Sequence, residues 1–210
     1  MNSIAQIFWI LLFLICCQFS GSKQSRTSVK SPKFADEVAM GEPVGVDTSQ
    51  SLIEWKGTKL MGAGSHKGII RFKEGQLRFL EGELTGGSFT VDMKSIYITD
   101  IPLSDPIPRA NLLTHLQSDF NVKKYPESYF RISKILSENK KRYLEGDLII
   151  KGHSENVRVS FRKVNQSTFV SEFSINRFKW GIGEDGSWLE KKLVDPDIYL
   201  KVLLVLNSKG

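Results

Sequence analysis

H-K-G-I-I-R-F-K-E-G-Q-L-R-F (residues 66–79), followed by L-T-G-G-S-F-T-V-D-M (residues 84–93), decides the fold of this chain. Between its glycines the stretch alternates apolar and polar residues with a period near two. The apolar positions are β-branched or aromatic, which is the pattern of half-buried antiparallel strands. Ile70 then shares one side with Phe72, Leu77 with Phe79, and Phe89 with Val91 and Met93. Just upstream, I-E-W-K-G places Ile53 beside Trp55. The other side carries Glu54, Lys56, Arg71, Lys73, Arg78, Thr90, Asp92 and Lys94.

Working outward, the same period returns after a break. Phe130 and Ile132 share a side, as do Leu144, Leu148 and Ile150, and Val157, Val159 and Phe161. Phe169, Ser171, Phe173 and Ile175 align, and so do Ile198, Leu200, Val202, Leu204 and Leu206. Turns are expected at 138–141, 152–156 and 163–166. The break is a Pro- and Asp-rich loop at 100–108 that stops the sheet, followed by R-A-N-L-L-T-H-L-Q (109–117), the best helical candidate. There Leu112, Leu113 and Leu116 fall at helical spacing, and Ser104 or Asp105 can help start the turn. Many short strands with hairpin-sized turns and one helix predict an all-β, antiparallel up-and-down barrel of about eight strands, with the helix at a barrel mouth. Closure removes the exposed edges of a Phe-rich sheet. A barrel of that size encloses a space that side chains fill or that one small ligand occupies.

The 210 residues suffice for one domain and a short extension. The formal charge of +6 is spread among acids along the strands, without the concentrated basic face that nucleic-acid binding requires. Thirteen Phe against five Tyr bias the aromatics toward fully apolar rings, which suits a large core or a greasy cavity. Both cysteines, Cys16 and Cys17, lie at the end of an N-terminal apolar run, so the remainder holds no disulfide, thiolate ligand or thiol nucleophile. That run, from Ile7 to Ile15, is shorter than the about 20 residues a spanning helix needs. It has the length of a secretory h-region, although no Lys or Arg precedes it. L-I-C-C resembles a bacterial lipoprotein signal in which Cys17 carries the lipid; a plain cleaved signal and an uncleaved anchor are the alternatives, and all three imply export. The expected organisation is a signal peptide at 1–17, a flexible polar linker at 18–43 and a β-barrel domain at 44–208. At most a short helical piece is expected around 34–40.

Six pieces in order resemble the YceI-like family: W-K-G…G-S-H-K-G-I-I-R-F (55–72), G-G-S-F-T-V-D-M-K-S-I (86–96), L-L-T-H-L (112–116), K-Y-P-E-S-Y-F (124–130), L-E-G-D-L-I-I-K-G (144–152) and F-S-I-N-R-F-K-W-G-I (173–182). The chain departs from the family in having one aromatic, Phe120, after the helix, and in the His and Glu of Gly152-His153-Ser154-Glu155. The resemblance implies an extended lipocalin-like barrel, periplasmic or held in the outer envelope as a lipoprotein anchored at Cys17. It also implies an isoprenoid lipid, a polyprenyl quinone or polyprenyl phosphate, bound in the lumen for carriage, storage or envelope stress response.

With that implication the inward residues become ligand contacts: Trp55, Ile70, Phe72, Phe89, Val91, Leu113, Leu116, Phe120, Phe130, Leu148, Ile150, Val159, Phe161, Phe173 and Ile175. The bland alternative is a solid core of the same side chains. His66 and His115 are candidate head-group contacts; a metal or catalytic role for either needs a third ligand or a nearby base. Asp92, Asp100 and Arg177 are candidates for a network at a barrel end, and His153 is expected to be solvated in a turn. The reading is of a binding protein without chemistry of its own, with no cofactor beyond the bound lipid, no metal and no nucleic-acid partner. A lipidated N-terminus would tether it to a membrane, and a homodimer is left open. Two alternatives stand beside it: an enzyme acting on an isoprenoid lipid through His66 or His115, and a structural barrel without ligand.

Overall fold

In the computed structural model, which describes residues 40–59, 64–183 and 194–208, the opening stretch becomes two long antiparallel strands, β3 (Ser65–Leu80) and β4 (Glu83–Ile98). They are preceded by β1 (Glu42–Gly45) and β2 (Leu52–Lys59). After β4 come α1 (Pro106–Asp119), β5 (Glu127–Glu138), β6 (Lys141–Ile150), β7 (His153–Lys163) and β8 (Thr168–Asn176). A 3-10 helix (Arg177–Trp180) and β9 (Val194–Val205) end the fold. The expected signal segment at 1–17, with Cys16 and Cys17, and the expected linker residues 18–39 lie outside the described residues.

The nine strands are hydrogen-bonded in the order β1-β3-β2-β9-β8-β7-β6-β5-β4, and β4 pairs again with β3. All pairings are antiparallel. β1 and β2 lie along the same edge of β3: β1 takes Gln76 to Phe79, and β2 takes Ser65 to Ile70. They therefore fill one station, and the ring closes with eight. The join between them is stapled by short polar groups. Asp47 Oδ1 accepts the backbone N–H of Ser49 (2.9 Å) and of Gln50 (3.2 Å), turning the chain. Ser51, fully buried, accepts the Val205 N–H at 2.8 Å through its hydroxyl and so stands in for a ladder bond to β9. Glu42 and Pro43, which the sequence reading assigns to the linker, belong to β1.

One turn and the helix start differ from expectation in position. Between β6 and β7 the turn is Lys151-Gly152, both at positive φ (52° and 79°), so β7 begins at His153 and residues 153–156 pair with 147–150 of β6. His153 is exposed, but on a strand. Two positive φ values match the mirror-image turns that suit the strand twist; Asn139-Lys140 between β5 and β6 does the same at 50° and 62°. The helix starts at Pro106 rather than Arg109, because proline's fixed φ and missing N–H are tolerated in a first turn. Asp105 is the N-cap residue but makes no side-chain capping bond.

The topology gives the barrel two unlike ends. One gathers the hairpin turns β3–β4, β5–β6 and β7–β8 together with β1, and carries Phe79, Leu84, Phe161, Phe169 and Leu206 in the core. The other gathers the start of β3, the end of β4, α1, the β6–β7 turn and the 3-10 helix. Along the strands the inward set is mostly apolar and the outward set mostly polar or charged. That is the inverse of a membrane-spanning barrel, whose apolar side faces lipid.

Close approach inside the ring depends on particular glycines. A β-carbon at Gly68 would collide with the Tyr97 carbonyl oxygen and lie 2.7 Å from the Trp55 indole, whereas one at Gly57 would meet nothing within 4 Å. Gly68→Ala should therefore lower stability by about 1–3 kcal/mol, the usual penalty of overpacking. Gly57→Ala should be neutral or slightly stabilising, because it restricts only the unfolded chain. Urea denaturation of both variants checks the pair.

Candidate functional site

Each strand from β2 to β9 contributes alternate side chains to one cavity of about 240 Å³. Along β9 its lining runs from Val194 to Leu204, a path of roughly 34 Å at 3.4 Å per residue. The lining thus extends along most of β9, from the helix end to the hairpin end. Among its lining side chains only Asp119, Ser128, Tyr129, Ser171, Arg177 and Asp195 belong to polar residue types; the others are aliphatic, aromatic, methionine or glycine.

Aromatic rings set its walls. Phe89 stacks on Phe130 with centroids 6.3 Å apart, and Phe72 is tilted against Phe89 at 5.9 Å. These three belong to adjacent strands β3, β4 and β5, so they form one stripe. At the hairpin end Phe169 meets Phe161 and Phe79, each at 6.4 Å. Trp55, only 8% exposed, lies over Gly68 and keeps an indole N–H with no hydrogen-bond partner.

The charged lining collects at the helix end. Arg177 opens the 3-10 helix, where Asn176 Oδ1 caps Phe178 N at 3.1 Å and Trp180 Nε1 donates to the Leu148 carbonyl at 3.0 Å. Gly183, at φ 70°, is required beside it, since a β-carbon there would collide with the guanidinium. Arg177 is 6% exposed. Its Nη1 donates to the Ile182 carbonyl at 3.4 Å, and the Phe178 ring lies 4.4 Å from its Cζ. Burial pushes the guanidinium below its ordinary pKa, while the charges of Asp119 and Asp195 act in the other direction.

A model of the YceI-like domain matches residues 45–206. The chain belongs to the YceI-like family. The YceI-like barrel is similar in structure to BcnA of Burkholderia cenocepacia, with a TM-score of 0.61 and 24% identity over 77% of this chain and 99% of that one. It is also similar to a polyisoprenoid-binding domain from Saccharophagus degradans implicated in plant cell wall breakdown, with a TM-score of 0.52 and 10% identity over 79% and 98% of the two chains. At these identities the likeness concerns the fold. No curated protein sequence matches the chain.

Of the fifteen side chains that the sequence reading assigns to ligand contact, all but Leu113 line the cavity. Leu113 packs against the core from outside, on the flank of α1, because Leu116 and Phe120 occupy the inward direction. Neither histidine lines it. His66 Nδ1 lies 2.8 Å from Asp100 Oδ2, joining the start of β3 to the end of β4. His115 is half-exposed on α1, its Nε2 3.4 Å from Asp119 Oδ2 one turn on. Asp100 and Arg177 do not share a network: Asp100 belongs to His66, and the carboxylates acting on Arg177 are Asp119 and Asp195. Among the described residues no group of three His, Cys, Asp or Glu is placed to hold a metal. Arg177, Asp119 and Asp195 escape the periodicity argument because they sit at strand ends and in a helix, where alternation carries no information.

Two outcomes follow from these placements. Phe173→Asp puts a charge into the apolar lumen and should unfold the barrel or abolish binding of an apolar dye, while Lys94→Asp, on an exposed outward position, should do neither. The carboxyl of Asp100 is raised by burial, but the His66 ring and the Lys67 N–H outweigh this and hold it below the usual value; that of Glu127 is lowered by Lys73 and by the Tyr129 hydroxyl. A lowered carboxyl stabilises the fold above its unfolded pKa and loses that contribution as pH falls through the folded one. Urea midpoints should thus fall as pH drops below about 4, and Asp100→Asn or Glu127→Gln should flatten that acid limb.

Proposed function

We propose that this protein binds the hydrocarbon chain of a polyisoprenoid lipid inside the barrel and serves as its carrier or store, without catalysing a reaction. The observation that carries the reading is the long, mostly apolar cavity lined by every strand from β2 to β9. Membership of the YceI-like family supports it, as does the likeness to a domain named for polyisoprenoid binding.

Energetics favour an occupant. Leaving a 240 Å³ apolar cavity unfilled costs on the order of 6 kcal/mol, at about 24 cal/mol per Å³. That is comparable to the whole stability of an ordinary domain, about 5–15 kcal/mol. A guest chain restores those contacts and is held by burial at roughly 25 cal/mol per Å² of its own apolar surface. A long lumen with its charged groups at one end fits an extended chain with a single head group better than a compact ligand. We also infer export, from the apolar N-terminal run and L-I-C-C, with Cys17 as the site of a lipid anchor that would keep the barrel near its membrane source of ligand.

Organic extraction of the purified protein followed by mass spectrometry tests the reading. A prenyl lipid near one per chain is the expected result, and delipidated protein should melt at a lower temperature and recover on adding lipid back. At a 100-fold excess over Kd a ligand adds about 2.7 kcal/mol. A solvent extract without lipid, together with no thermal shift on lipid addition, would leave a structural barrel. Turnover of a prenyl lipid lost in His66→Ala would instead favour an enzyme.

A further inference from the structure

The outside of the barrel carries a second feature, unconnected with whatever the lumen holds. A groove of about 580 Å³ opens at the hairpin end, between the β5–β6 and β7–β8 hairpins. Its lining sets Lys140, Lys141, Arg142, Arg162 and Lys163 against one acid, Glu172. Arg142 is paired with Glu83, and Glu172 accepts the Tyr199 hydroxyl at 2.8 Å. Glu138 beside the groove is held by Arg158. Lys140, Lys141, Arg162 and Lys163 are exposed, and among the described residues none of them is paired with a carboxylate. Glu42 on β1 and Glu81 on the β3–β4 turn do not line the groove. Lys140 stands at φ 62°, a left-handed position that glycine adopts more easily, so the chain carries a cation at this tip against its backbone preference.

Four unpaired cations around one groove repel each other, and an anionic surface laid on them relieves that repulsion. The apolar groups at the same end decide what kind of surface. Leu80, at the β3–β4 turn, is 47% exposed and Val164, at the β7–β8 turn, 50%. A small anion cannot touch both hairpins and these apolar tips together. An anionic bilayer can: lysines and arginines meet its phosphates, and apolar side chains enter the boundary just beneath. The described chain also begins at this end, where Arg78 Nη1 donates to the Gly41 carbonyl at 3.1 Å and the Thr85 hydroxyl to that of Met40. Residues 18–39, which precede it in sequence, hold Lys23, Arg26, Lys30 and Lys33 against Asp36 and Glu37. An anchor at Cys17, inferred above, would therefore join the barrel on the side of the groove.

We propose that the hairpin end is a docking surface for a membrane rich in anionic phospholipid, with Lys140, Lys141, Arg162 and Lys163 on the phosphates and Leu80 and Val164 entering the layer beneath them. The barrel itself, and not only its N-terminus, then holds the protein on the bilayer.

Sedimentation of the full chain with vesicles tests this, using phosphatidylcholine alone and its equimolar mixture with phosphatidylglycerol. Cys16→Ser and Cys17→Ser are present throughout so that no acyl anchor contributes, and any attraction from the apolar N-terminal run acts on both vesicles alike. The mixture should be bound at least tenfold more tightly than phosphatidylcholine, and the difference should vanish in about 1 M salt, where charges are screened within about 3 Å. Lys140→Gly with Lys141→Gln should lower that ratio about tenfold; both residues are exposed and glycine suits the backbone at 140, so the fold is kept. Lys56→Gln with Lys94→Gln, which removes two exposed cations elsewhere, should change the ratio less than twofold. Equal affinity for the two vesicles overturns the proposal, and so does an equal loss in the two pairs of variants, which would leave only net charge. A ratio unchanged by Lys140→Gly with Lys141→Gln also overturns it and assigns the attraction to the segment before Met40. An environment-sensitive dye attached at Val164→Cys should shift to the blue on the mixed vesicles, and one at Asn111→Cys on α1 should not; a shift at Asn111 alone, or at neither, sinks the proposed orientation. Displacement of the vesicles by inorganic phosphate, or binding of polyglutamate without any preference for the mixed vesicles, would mark an anion or acidic-protein site in place of a membrane surface.

Discussion

A strand has two faces, and a ring of strands has one inside. Once β3 is paired on one edge with β4 and on the other with β1 and β2, alternate residues of every strand are committed to the interior together. A slip of one residue anywhere would send Phe72, Phe89 or Phe173 into water and bring a lysine or glutamate inside. The fold therefore depends on register, and register is held at points where only one arrangement fits. Gly68 beneath Trp55 and Gly146 beneath the Phe130 ring are two of them, since a side chain at either would strike the neighbouring strand or ring.

What distinguishes this interior from an ordinary core is that its large side chains do not fill it. Eight stations make a barrel whose interior can be filled by side chains or hold one small ligand. Here the lining Phe, Leu, Ile and Val leave a long passage between the hairpin end and the helix end. The two ends are chemically unlike. At the hairpin end the turns are tight and aromatic rings meet; at the helix end the chain leaves sheet geometry for α1 and the 3-10 helix and brings charges with it. A ligand with a long apolar tail and a single polar end has one natural orientation in such a lumen.

The charge at the helix end is unusual for its burial. An arginine 6% exposed is normally held by carboxylates through direct bonds. Arg177 instead has two nitrogens unmatched and two carboxylates acting through space. Among the described residues its seat is secured by backbone features, the αL glycines Gly181 and Gly183 and the cap at Asn176, rather than by an ion pair.

The sequence alone determined the barrel class, the single helix, and the inward set on every long strand. Period-two alternation is a local property, and closure only adds the same choice on each neighbour. Twelve of the fifteen candidate side chains lie on strands and were legible for that reason; Leu116 and Phe120 belong to α1 and its C-cap, and Leu113 does not line the cavity, because three leucines on one helix cannot all face the same way and packing chooses among them. The tertiary structure decided the rest. It joined β1 and β2 into one station through Asp47 and Ser51, moved the β6–β7 turn to Lys151-Gly152, gave His66 to Asp100, and set Arg177 among Asp119 and Asp195. Those groups come from separate segments with no shared period, so only the closing of the ring brings them within reach of one another.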